Sequence, residues 1–221
     1  MSQFKALIFD LDGVIINSEV LWDECSHELL QLFGLTYQRK KSKHLASGKT
    51  IIEGTRILRD VYGIPEDLPQ LVERRMMIIR RLYAEKIDFI DGFTQILPWL
   101  TSGSLKTAIA TSCDRELVAI ADRKLGLTRI FHEHIYTLDL VNFRSKPNPD
   151  LFLYAASRLD VAPEACVVIE DSPNGVLAAK NARMYCIGLT GTYTADLLAA
   201  ADVIVGSYDE FLKVHEITQI Y

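Results

Sequence analysis

The apolar run Ala6-Leu7-Ile8-Phe9 stops abruptly on Asp10, Asp12 and Gly13, and no other stretch limits the possible folds as tightly. Four apolar residues without polar alternation suit a strand buried on both faces, and such strands belong to parallel sheets covered by helices. Ligands of an open sheet of that kind gather at the carboxyl ends of its strands, which is where Asp10 and Asp12 fall. Two carboxylates this close repel each other unless a cation or a shared proton intervenes, so the pair is expected to hold a divalent metal. Gly13 lets the backbone turn tightly away. A calcium loop would need its glycine sixth and a glutamate twelfth. Counted from Asp10, Gly13 is fourth and Leu21 twelfth, which excludes that reading. Solvated strand-end acids or caps of a following helix remain open on this pair alone.

Helical spacing dominates the next seventy residues. Glu19 to Phe33 predicts an amphipathic helix ended by Gly34, Thr50 to Tyr62 a second ended by Gly63, and Glu66 to Glu85 a third. No strand is expected between residues 18 and 88. From about Asp91 the pattern changes to alternation: helix Phe93–Leu100, strand Thr107–Thr111, a helix from Asp114 to Gly126, and a short strand Ile135–Thr137. Helix Asp150–Leu159 follows, then strand Cys166–Ile169 running into Glu170-Asp171, a helix opened by Pro173, strands Tyr185–Leu189 and Val203–Val205, and a last helix Asp209–Val214. Strands separated by helices mean an α/β fold: a doubly wound parallel sheet, Rossmann-like, with an inserted all-helical cap. Residues 1–16 and 89–221 are assigned to the core and 17–88 to the cap.

Charge supports that division. The chain of 221 residues carries −5 overall, but Arg39 to Lys86 holds twelve Lys/Arg against six Asp/Glu. Most of those cations are read as solvating one helix side, although a basic segment facing an acidic site also attracts anionic substrates. An overall pI near 5.6 argues against nucleic acid. No apolar stretch approaches membrane-spanning length and no signal peptide precedes the first strand, so a cytoplasmic monomer is expected. Cys25, Cys113, Cys166 and Cys186 are scattered without a CxxC and are read as reduced core thiols. His132 and His134 share one face of a segment read as extended, but no further ligands stand nearby, which argues against a metal site there. Neither GxGxxG nor a Walker loop is present.

Four polar features therefore reach one rim of the sheet: Asp10 with Asp12, Thr111 with Ser112, Lys146 before Pro147, and Glu170 with Asp171. Acidic pairs can hold Mg²⁺, hydroxyls and backbone N–H groups can bind phosphate oxygens, and a lysine can neutralise charge on a transferring phosphoryl group. Each feature alone has an ordinary explanation as a strand end, a loop cation or a helix cap. In order, Asp10-Leu11-Asp12-Gly13-Val14, Ala110-Thr111-Ser112, Ser145-Lys146-Pro147-Asn148-Pro149-Asp150 and Glu170-Asp171-Ser172-Pro173-Asn174-Gly175 resemble the haloacid dehalogenase superfamily, in the subgroup with a helical cap after the first strand. The stretch Asn17-Ser18-Glu19-Val20-Leu21-Trp22 is similar to sugar-phosphate phosphatases and to β-phosphoglucomutase.

The resemblance implies a Mg²⁺-dependent phosphatase of small phosphorylated metabolites. Asp10 would become an aspartyl-phosphate, and Asp12 would be the general acid and base. Thr111, Ser112 and Lys146 would hold the phosphate. Mg²⁺ would be held by Asp10, Asp12, Glu170 and Asp171, and Trp22, Gly48 and Lys49 are candidates for contact with the substrate. A mutase of the β-phosphoglucomutase type is the alternative. It would be expected to carry a histidine four residues after Ser18 and an arginine three after Gly48. Those positions hold Trp22 and Ile51, which favours the phosphatase, although Arg56 or Lys49 could stand in. A phospho-accepting signalling receiver also combines acids, a hydroxyl and a lysine, but needs no helical insertion and puts its acceptor Asp on a later strand than its acidic pair.

Overall fold

The computed structural model describes residues 4–46, 49–102 and 105–214. Six parallel strands, β1 (Ala6–Phe9), β2 (Lys106–Thr111), β3 (Ile135–Thr137), β4 (Cys166–Glu170), β5 (Tyr185–Leu189) and β6 (Val203–Val205), lie in the order β3-β2-β1-β4-β5-β6. β1 is thus central, with Ala6 opposite Lys106 on one side and Cys166 on the other. All four of its residues are fully buried, and the period of two divides them between two cores. Leu7 and Phe9 join one cluster, Ala6 and Ile8 the other. This is why the run shows no polar alternation.

The first cluster lies under α5 (Phe93–Ser102), α6 (Arg115–Leu125), α7 (Leu127–Phe131) and α10 (Tyr208–Phe211), with Phe9 meeting the rings of Phe93 and Phe131 edge-on at 6.3 and 5.7 Å. Helices α8 (Asp150–Arg158) and α9 (Pro173–Asn181) cover the second. The reversal of strand order on either side of β1 makes its carboxyl end a crevice between diverging connections.

Four helices stand between β1 and α5: α1 (Ser18–Gln31), α2 (Arg39–Ala46), α3 (Ile51–Tyr62) and α4 (Leu68–Lys86). The outer ends of α1, α3 and α4 share a cluster of Leu29, Leu30, Leu58, Ile64 and Leu71, whereas Leu21, Cys25, Ile79, Leu82 and Tyr83 join the main core. The chain enters and leaves this insertion side by side. The Asn17 N–H donates to the Asp88 carbonyl, the Asp88 N–H to Asn17 Oδ1, and the Ile90 N–H to the Ile15 carbonyl, at 2.9–3.0 Å. No helix among the described residues is long and apolar enough to cross a membrane.

Three local expectations are corrected. Helix α2 was not expected, because Arg39-Lys40-Lys41-Ser42 has no apolar period. Tertiary contact holds it: the Tyr62 hydroxyl accepts from the Gln38 N–H, and Lys41 lies 4.7 Å from the Tyr62 ring centre. Helix α1 ends at Gln31, two residues short of the expected limit, with Gly34 in the left-handed conformation beyond it. His132 has a φ of 53° and terminates α7, so the two histidines are not strand neighbours. His134 Nδ1 instead shares a hydrogen bond of 2.8 Å with the Tyr136 hydroxyl.

Candidate active site

The carboxyl ends of β1, β2 and β4 and the loop before α8 bring Asp10, Asp12, Ser112, Lys146, Glu170 and Asp171 to the wall of one cleft, which the insertion closes from the other side with Trp22, Lys49 and Arg75. Gly48 lies outside the described residues. Local chemistry explains the placement of each acid. After Phe9 the ladder ends, and Gly13, at φ 77°, turns the chain back so that its N–H donates to the Ile16 carbonyl. A Cβ at Gly13 would lie 2.0 Å from Asp171 Oδ2, so only glycine lets the β1 loop approach the β4 loop this closely. A Cβ at Gly175 would fall 1.8 Å from Glu170 Oε1, so the start of α9 is fitted to that carboxylate in the same way.

Lys146 is the hub. It is 7% exposed, and its ammonium donates to Asp10 Oδ1 and, at 2.6 Å, to Glu170 Oε1. Burial pulls its pKa down, but the charges of Asp10 and Glu170 outweigh burial and hold it above the ordinary lysine value. The other oxygen of Glu170 accepts from the backbone N–H groups of Asp171 and Ser172 and from the Ser172 hydroxyl, each at 2.9 Å. Glu170 thus bridges Lys146 and the turn into α9, and Oε1, which accepts from Lys146, keeps a further lone pair for a cation.

One ammonium cannot neutralise four carboxylates. Burial, with the charges of Glu170 and Asp12 adding to it, pushes the Asp10 carboxyl up to about 8 even against Lys146. Burial and the charges of Glu170 and Asp10 raise Asp171 well above the carboxylate range, opposed by a hydrogen bond from Thr192. Such a site is short of positive charge, and its donors are all oxygens, which suits a hard divalent cation. No three His, Cys, Asp or Glu side chains form a ready-made cage among the described residues. An ion that takes one or two carboxylates and fills its remaining positions with water and phosphate oxygens fits this set, whereas one needing a full protein cage does not.

Three hydroxyls surround the Asp12 carboxylate: Ser18 at 2.5 Å, Tyr83 at 2.9 Å and Thr111 at 3.4 Å. A hydroxyl both donates and accepts, so this surround serves the carboxylate and the carboxylic acid alike. Thr111 is fully buried, accepts from the Cys113 N–H at 2.9 Å and does not line the cleft. Ser112 does line the cleft, and its hydroxyl is buried with no hydrogen-bond partner among the described residues. Tyr83, Ser18 and Thr192 were not foreseen as site residues. Ser18 follows the first motif, but Tyr83 and Thr192 lie in stretches that read as a helix and a loop. Trp22 packs edge-on against Tyr83 and carries the Arg75 guanidinium over its ring, while Lys49 is exposed at the cleft wall.

Removing the hub has a predictable cost. Lys146→Met leaves two buried carboxylates facing each other, and breaking a buried pair by deleting one partner costs about 3–5 kcal/mol. Urea unfolding should register that loss. Adding Glu170→Gln should recover part of it, because the residues act as one network. Independent, additive losses would refute the hub.

A sequence profile described as haloacid dehalogenase-like hydrolase matches residues 7–189. The phosphorylated carbohydrates phosphatase of Thermotoga maritima is 30% identical over 95% of this chain and 97% of its own length. The β-phosphoglucomutase of Bacillus subtilis is 30% identical over 84% of this chain and 83% of its own length.

 Among solved structures, a haloacid dehalogenase family hydrolase from Deinococcus radiodurans, with bound phosphate and sodium, superimposes with a TM-score of 0.81 at 28% identity, over 100% of this chain and 99% of that one.

Proposed function

The chain belongs to the haloacid dehalogenase-like hydrolase family and is a phosphoric monoester hydrolase, and we propose that it hydrolyses small phosphorylated carbohydrates through an aspartyl-phosphate, with Mg²⁺ bound and residues 17–88 acting as a cap. The observation that carries this reading is the shared cleft: a buried carboxylate held by Lys146, beside a second carboxylate ringed by hydroxyls and an unpartnered serine hydroxyl.

In this mechanism an Asp10 oxygen attacks phosphorus as the bond to the sugar oxygen breaks. Asp12 gives its proton to the departing oxygen, then takes one from the water that attacks the aspartyl-phosphate, releasing phosphate and restoring Asp10. Lys146 holds Asp10 in place and offsets charge on the phosphoryl oxygens, and Ser112 donates to one of them. Asp10, the Asp12 carbonyl, Glu170 and Asp171 would hold Mg²⁺, which would supply charge neutralisation at the phosphoryl group.

The test supplies purified protein with Mg²⁺ and a panel of hexose and pentose phosphates, and follows inorganic phosphate over many turnovers. Continuous release that EDTA stops and Mg²⁺ restores is expected. A single phosphorylation per chain would indicate a receiver, and full activity in EDTA would refute the metal site. β-Glucose 1-phosphate with a trace of glucose 1,6-bisphosphate separates the mutase: rapid glucose 6-phosphate with little free phosphate would overturn hydrolysis.

A further inference from the structure

Arg75, on α4, is 5% exposed, yet no carboxylate among the described residues pairs with it. Its Nη1 donates to the Thr55 hydroxyl at 3.2 Å, and its guanidinium sits 5.0 Å from the centre of the Trp22 ring. Its Nε is buried without a hydrogen-bond partner among the described residues. Thr55 already donates to the Ile51 carbonyl at 2.6 Å, so its hydroxyl is oriented to accept from Arg75. Asp23, an acid on the same wall, is engaged by Arg39 and the Tyr37 hydroxyl, and Glu19 on that wall makes no ion pair with Arg75. Arg75 nevertheless lines the cleft that contains Asp10 and Lys146.

A buried guanidinium normally has an anion, because taking its charge out of water is costly unless it is paired. The other arginines of α4 have one: Arg74 pairs with Glu66, Arg80 with Glu116 and Arg81 with Glu28 and Glu85. Burial accordingly lowers the pKa of Arg75, whereas the hydrogen bond to Glu28 raises that of Arg81. Trp22 fixes the plane of the guanidinium and Thr55 one edge of it, which leaves a preorganised donor edge and an unfilled anion requirement within the substrate cleft.

We propose that Arg75 is a specificity-determining residue that binds a second oxyanion, a carboxylate or a phosphate, at the end of the substrate remote from the phosphoryl group under attack. This rests on the phosphatase reading above and narrows its substrates to phosphorylated sugar acids or bisphosphates. A neutral sugar phosphate would leave the guanidinium unpaired when the cleft closes over it, so discrimination comes from the arginine as much as from the ligand.

The experiment compares 3-phosphoglycerate with glycerol 3-phosphate, which differ by a carboxylate, and fructose 1,6-bisphosphate with fructose 6-phosphate, which differ by a phosphate. Wild type should favour the doubly anionic member of at least one pair in kcat/KM, and the favoured pair identifies the oxyanion. Arg75→Met should reduce that preference roughly 10- to 150-fold, the value of a hydrogen bond to a charged group, chiefly through KM. Arg75→Lys should retain part of it. Calorimetric titration of Asp10→Asn, with and without Arg75→Met, reads the same preference as binding and does not depend on turnover. No preference in wild type by either measurement would overturn the proposal. An equal loss on both members of a pair would also overturn it, since it would mark Arg75 as structural. Absence of turnover on every ester, with the binding preference intact, would count against the phosphatase reading and not against Arg75.

Discussion

Asp10→Asn is expected to abolish phosphate release, by roughly 10⁶-fold if it follows other enzymes whose nucleophile is removed, without loss of the fold. An amide nitrogen or oxygen in that position cannot carry the phosphoryl group, and it binds a hard cation poorly. Stability should hold or rise in metal-free buffer, because burial and acidic neighbours already penalise the Asp10 charge and Lys146 keeps Glu170 as a partner. Thermal unfolding beside a phosphate-release assay checks both parts. Turnover near wild type would eliminate the aspartyl-phosphate mechanism, and a collapse in unfolding temperature would mean that Asp10 is needed chiefly for folding.

Asp12→Asn should cost about 10²–10⁴-fold, the usual value of general acid–base help, and the loss should depend on the leaving group. A sugar hydroxyl needs a proton as it departs, whereas p-nitrophenolate needs little, so the deficit on hexose phosphates should greatly exceed that on p-nitrophenyl phosphate in the first step. Ser18 and Tyr83 can still hydrogen-bond an amide, so the side chain should stay in place. An identical deficit on both substrates would assign Asp12 to positioning or metal binding instead.

What could be read in advance followed from local chemistry. The β1 run, its acidic end, Lys146 before Pro147 and the acids before α9 are contiguous in sequence, and strand ends in a doubly wound sheet bring such segments together. What escaped depends on contacts between distant segments. Tyr83 reaches Asp12 across the chain from a helix whose apolar period would accommodate any large residue there. Arg75 reads as one more cation in a basic helix, and only its burial and its lack of an ion pair set it apart from Arg74, Arg80 and Arg81. Glu170 and Asp171 look equivalent as a pair, but Gly175 leaves room for one carboxylate to fold back on the α9 turn while the other faces Gly13. Helix α2 escaped because its support is the Tyr62 ring and not its own periodicity.

The central position of β1 also bears on how the chain is made. It leaves the ribosome before both of its neighbours, β2 beginning at Lys106 and β4 at Cys166, which arrive only after the entire helical insertion. The sheet is therefore rich in long-range pairings, which form slowly, whereas the Leu29, Leu58 and Leu71 cluster is assembled from nearby segments that can collapse during synthesis. The helices over the cleft can thus take shape before the shelf that carries the reacting carboxylates exists, and a nascent chain remains without its active centre until β4 has been delivered.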